Sequence, residues 1–235
     1  MLRSFFPVIL AGSVLSWLCG PGNFVTLLAA EGPYTVKVVS AEPPKELRPE
    51  VRSQLQPRAH QVFDSAGKLL CEVWLVKSAS ARATPAQVQN GLTYQEIPPT
   101  TLFGAIRFAE DAQDYRKQDV KAGVYTLRFA TQPQDGDHMG TAPHPEFCLL
   151  VSAELDEKPG VVEVKHLHDV SARSLEGGHP GVLLLFPNRK PEAEPRMADH
   201  GMGHWALHAT LQVEVDGKTV PFGIALNLIG HSSAA

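Results

Sequence analysis

Between Trp205 and Leu228 apolar and polar residues alternate, broken only at Asp216-Gly217, and this pattern restricts the fold more than any other stretch of the chain. Trp205, Leu207, Ala209, Leu211, Val213 and Val215 occupy every second position, as do Val220, Phe222, Ile224, Leu226 and Leu228. A period of two belongs to strands with one buried face. Asp-Gly suits the two-residue turn of a hairpin, which needs positive φ at both central positions. Closing the chain there predicts Val213 opposite Val220, Leu211 opposite Phe222, Ala209 opposite Ile224, Leu207 opposite Leu226 and Trp205 opposite Leu228. A slip of one residue turns one apolar face to water, so turn and pattern specify the same register.

Further strands are expected at Tyr34 to Val39, His60 to Phe63, Leu69 to Val76, Leu102 to Phe108, Val124 to Thr131, Phe147 to Val151 and Val182 to Phe186. Asp64-Ser65-Ala66-Gly67 reads as the turn joining the second and third of these. In Val124 to Thr131, Tyr125, Leu127 and Phe129 are expected to face inward, with Thr126 and Arg128 pointing out. Val182 to Phe186 is apolar throughout, as a central strand is. Pro49 to Leu55 opens with proline where a helix tolerates it, and a second short helix is expected between Glu163 and Ser174. Ser78 to Asn90 and Asn188 to Asp199 read as long surface loops. These elements predict an all-β domain, an antiparallel β-sandwich or jelly-roll-like barrel with one or two short helices.

The N-terminus predicts export. Met1 to Arg3 carry the only early charge, Phe5 to Cys19 has the length of a signal-sequence apolar core, and Leu28-Ala29-Ala30 ends on small residues. A signal sequence of residues 1–30 would leave a single domain of residues 31–235, periplasmic or extracellular, with no later run long enough to span a membrane; the alternative is an uncleaved membrane anchor, against which Pro21-Gly22-Asn23 interrupts the apolar run. Arg3 is the only charged side chain lost, so 20 Lys and Arg then face 25 Asp and Glu. That mildly acidic balance argues against nucleic-acid binding. Cys71 and Cys148 lie in apolar strand-like runs, where either an inter-strand bridge or two buried thiols fits.

The chain after Ala30 contains no Gly-x-Ser-x-Gly elbow, His-Glu-x-x-His, Cys-x-x-Cys-His or phosphate loop. What remains are histidines in glycine-rich loops. Asp137 and His138, with Asp135 and Met139, follow the strand that ends near Thr131. His200 and His204 flank Gly201-Met202-Gly203, and His179 sits in Gly177-Gly178-His179-Pro180. Imidazole, carboxylate and thioether together suit copper or zinc, and the carboxylates calcium. His204 and His208 would lie about 13 Å apart on a strand and so could not share an ion.

Through Asp114-Tyr115-Arg116-Lys117-Gln118, Ala122-Gly123-Val124-Tyr125-Thr126-Leu127-Arg128 and Asp135-Gly136-Asp137-His138-Met139-Gly140, the chain resembles a group of exported bacterial proteins of unknown function. The Gly-x-Tyr-x-Leu strand is also similar to those of transthyretin-like sandwich modules. The resemblance implies export and a compact domain. The expectation for function is an exported, non-catalytic binding module for a small ligand or envelope component, with a metal at Asp137, His138, His179, His200 and His204 as its sharpest form. The alternatives are a hydrolase using a loop histidine as general base, and a structural envelope or adhesion module.

Overall fold

The computed structural model describes residues 32–132 and 142–232. Its first half runs β1 (Thr35–Ser40), α1 (Pro49–Arg52), β2 (Arg58–Phe63), β3 (Leu69–Leu75), β4 (Ala79–Ser80), α2 (Pro85–Asn90) and β5 (Leu102–Phe108), with a 3-10 turn at Tyr94–Glu96. A short ribbon of β6 (Ala112–Gln113) and β7 (Asp119–Val120) leads to β8 (Gly123–Thr131) and β9 (Glu146–Ser152). Then come α3 (Val164–Ser174), β10 (Gly181–Leu184), β11 (Arg196–Asp199), β12 (Trp205–Val215) and β13 (Lys218–Ile229). Seven strands pair antiparallel in the order β1-β2-β3-β5-β8-β9-β10, and β11-β12-β13 form a second sheet that β4 joins along β12. The fold is therefore all-β and sandwich-like. Its two layers meet at both ends. Leu185 bridges to Leu226, with Phe186 N–H donating to the Ala225 carbonyl at 2.9 Å. At the other end the Tyr34 ring lies 5.5 Å from that of Trp205.

Asp216 and Gly217 take φ of 49° and 75°, the positive values a tight hairpin turn requires. The register follows the alternation at Val213–Val220, Leu211–Phe222, Ala209–Ile224 and Leu207–Leu226. It departs at the far end, where Trp205 pairs with Ile229 and not Leu228, because the ladder shifts between Trp205 and Ala206. Such a bulge bends the strand locally, where Trp205 meets Tyr34.

Two other expectations need correcting. The apolar run from Val182 ends the larger sheet and is not central to it. It is apolar because both faces are covered: Leu183 and Leu185 join the core between the sheets, while Leu184 and Phe186 pack outside it with Tyr115, Phe147, Ala206 and Ala225. Ser78 to Asn90 holds strand β4 and helix α2 in place of a continuous loop, making three helices among the described residues. Thr84 caps α2 by accepting from Gln87 N–H, and Gln87 returns the contact to Thr84 N–H. Asn188 to Asp199 likewise ends in strand β11.

The outer face of β8 is not solvated. Leu167 and Val170 of α3 lie on Ala130, Leu149 and Val151, and Arg128 and Thr126 are fully buried under the chain that leads to α3. Arg128 uses all five of its N–H groups. Nε and Nη2 donate to the Asp156 carboxylate at 2.8 and 2.7 Å, Nη1 to the carbonyls of Thr100 and Gly160, and Nη2 also to the carbonyl of Lys158. Cys71 and Cys148 are free and buried in the main core. Strands β5 and β8 stand between their strands, which alone separates them by at least ~14 Å at about 4.8 Å per strand, and the register sets Cys71 level with Gly123 but Cys148 level with Phe129, beyond disulfide reach.

Candidate functional site

Chain direction at the β11–β12 hairpin sets up the site. His200 N–H donates to the His204 carbonyl and His204 N–H to that of Gly201, both at 2.9 Å. The loop turns through three positive φ values, 77° at Gly201, 54° at Met202 and 81° at Gly203. Glycine takes this conformation without a steric penalty. The hairpin opposes Arg196 to His208 and Ala198 to Ala206. Alternation puts Arg196, Ala198, Ala206 and His208 on one face, with only methyl groups between His200 and His208. The His200 ring crosses that gap, bringing its Nε2 to 2.9 Å from Nε2 of His208.

Each ring is held from behind. His208 Nδ1 lies 3.1 Å from Glu192 Oε1. A carboxylate only accepts, so Nδ1 carries the proton and Nε2 presents a lone pair toward His200. Arg196 grips the same carboxylate at 2.7 and 2.9 Å, and Thr210 Oγ1 donates to the Glu192 carbonyl at 2.7 Å. Asn188 Nδ2 donates to the Ile224 carbonyl at 3.1 Å beside His208. Its approach depends on Gly223, since a Cβ there would meet the Asn188 carbonyl at 2.6 Å. His200 stacks on Phe186 with ring centroids 3.9 Å apart, and His144 meets the same ring edge-on at 5.5 Å.

Burial dominates the electrostatics. It pushes the His200 imidazole down to about 4, with His208, His144 and Arg196 adding to the effect. Burial also lowers His208, although the hydrogen bond to Glu192 opposes it. For Glu192, burial acts upward, but the hydrogen bonds from Arg196 and His208 outweigh it and hold the carboxyl below its ordinary value. At neutral pH the cluster is thus a carboxylate and two neutral imidazoles in line, the form in which imidazole binds metals.

The residues singled out from sequence divide three ways. Asp137 and His138 lie outside the described residues. His179 stands exposed in the turn between α3 and β10, apart from this cluster. His204 does not converge with His200, because its Nδ1 faces the Gly201 carbonyl at 3.2 Å and its Nε2 the His231 carbonyl at 3.1 Å. His200 meets His208 instead. Sequence reasoning missed His208, Glu192, Arg196 and Asn188. His208 was visible as a polar residue on the strand face that carries Ala206, but its partner arrives only through the hairpin. Among the described residues, no three His, Cys, Asp or Glu side chains gather closely enough to hold a metal ion. What exists is a pair of nitrogens with a carboxylate behind one of them.

Comparison with protein-family models, with curated proteins and with solved structures finds no match. The class that can be stated is a β-sandwich-like protein with a histidine pair on the outer face of its smaller sheet. No helix among the described residues is long and apolar enough to cross a membrane.

Proposed function

We propose that the protein is an exported, non-catalytic binding module whose ligand is a copper or zinc ion held by Nε2 of His200 and Nε2 of His208. The observation that carries this reading is their 2.9 Å separation. With metal–nitrogen bonds of about 2.0–2.1 Å, two nitrogens at a right angle lie about 2.9 Å apart, and at the tetrahedral angle about 3.3 Å. Without metal, the same approach is one N–H···N hydrogen bond from His200 to His208. The Glu192 carboxylate on Nδ1 supports the reading, since metal-bound histidines donate their other N–H to such an acceptor. Two nitrogen ligands suit copper or zinc and not calcium, which takes oxygen. Water or a further ligand fills the remaining positions. The case for export is the sequence of Met1 to Ala30, which lies outside the described residues.

Calorimetry and electron paramagnetic resonance on tag-free protein lacking residues 1–30 provide the test. One equivalent of copper or zinc is expected, with nitrogen coordination, and His200→Ala or His208→Ala should abolish it. Absence of stoichiometric binding overturns the reading. One observation favours a second reading, a hydrolase: the Glu192–His208–His200 line resembles a carboxylate-oriented general base. Among the described residues, however, neither imidazole is hydrogen-bonded to a hydroxyl or thiol nucleophile. Ester hydrolysis that Glu192→Gln and His208→Ala abolish in metal-free protein would decide for it.

A further inference from the structure

Away from the histidines, a cavity of about 360 Å³ opens where the chain passes from β1 through α1 into β2, within the size range of small-molecule sites. Pro49 and Pro57 line it with exposed rings, while Pro43 and Leu55, the latter only 2% exposed, close it from behind. Proline fixes φ, so the walls are preformed and little ordering accompanies binding. The back is tied to β3: Gln56 N–H donates to the Leu75 carbonyl at 2.9 Å and Lys77 N–H to that of Gln54 at 2.7 Å.

Two cations line this cavity, and both are pinned to it. Arg52 Nε donates to the Pro43 carbonyl at 2.8 Å, and Lys77 Nζ to the Ser53 carbonyl at 2.7 Å. Their only carboxylate company among the lining residues is Glu42, whose side chain is 76% exposed and stands 3.7 Å from Arg52 Nη2. An exposed pair at that distance holds weakly. The terminal nitrogens of Arg52 therefore remain available to a better acceptor, and a guanidinium matches a carboxylate in two-point geometry.

We infer that this cavity binds a small organic dicarboxylate, its apolar body against Pro49 and Pro57, one carboxylate replacing Glu42 at Arg52 and the other at Lys77. The inference is independent of the histidine pair. Isophthalate is the probe, titrated into the whole chain and followed by backbone amide NMR shifts. Benzoate, with one charge, and inorganic phosphate, with no apolar body, serve for comparison. Saturable shifts are expected at residues 52–56 and 77, with benzoate and phosphate each weaker by about tenfold. Arg52→Gln and Lys77→Gln should each weaken isophthalate by roughly tenfold, whereas Glu42→Gln should tighten it by roughly threefold. Lys68→Gln, at the opposite end of β3, makes the same change in net charge and should leave affinity within about twofold. If Arg52→Gln disturbs the fold, Arg52→Lys keeps the charge and should bind at an intermediate level. The inference is overturned by absence of saturation at ~10 mM isophthalate, by weaker binding in Glu42→Gln, by an equal loss in Lys68→Gln, or by phosphate binding as tightly as isophthalate.

Discussion

His208 owes its orientation to Glu192, which Arg196 and Thr210 hold in place. A carboxylate behind a metal-binding imidazole fixes the tautomer and raises ligand basicity, and its loss costs about 10–100-fold in metal affinity. Glu192→Gln should weaken copper or zinc binding by that factor in a competition titration while leaving one site per chain. Protonation acts on the same residues. The unfolded chain protonates its histidines near pH 6.5, whereas burial keeps His200 neutral in the fold down to about pH 4 and lowers His208 as well. Between those values the unfolded state takes up protons that the native state excludes, so stability falls as pH falls from 6.5 toward 4. Thermal unfolding of metal-free protein should show Tm lower at pH 5 than at pH 7 by ~3 °C, and His200→Gln should flatten that difference. An unchanged difference would place the acid sensitivity in other groups.

Strand β8 shows how a face opposite the main core becomes buried in its own right. Alternation separates Tyr125, Leu127 and Phe129 from Thr126 and Arg128, and the separation is correct. It carries no information about what covers the second face. Arg128 is buried because the chain through Asp156 and Gly160 folds over β8 on its way to α3, and its guanidinium ties that passage down. Truncating it leaves the Asp156 carboxylate buried without a counter-ion. Arg128→Met should cost about 3–5 kcal/mol in urea unfolding. Replacing both partners, as Arg128→Met with Asp156→Leu, should cost less than the sum of the two single changes. Strict additivity would mean that the two groups do not act as a pair. The β12–β13 hairpin is the opposite case, in which a local turn and local alternation suffice, and the single departure, at Trp205, falls where a distant residue, Tyr34, intervenes.

Across the whole molecule, the thiols test the sheet order. Burial pushes the Cys71 thiol up to about 12 and also raises that of Cys148, and β5 and β8 hold the two apart. A chain lacking residues 1–30 should show no thiol reactive toward an aromatic disulfide reagent while folded and two after denaturation, even when prepared under oxidising conditions. A disulfide between them would contradict the strand order. The sequence by itself determined the all-β class, most strand positions, the turn at Asp216-Gly217 and the register of the final hairpin from that turn as far as Leu207 and Leu226, because these rest on periods and turn chemistry within a few residues. Only the tertiary structure decided that β10 lies at a sheet end under two apolar layers, that Arg128 is enclosed, and that His200 meets His208 with Glu192 behind it. Those contacts join residues from separate loops and strands, and distance in space between them depends on how hairpins stack, which no local pattern records.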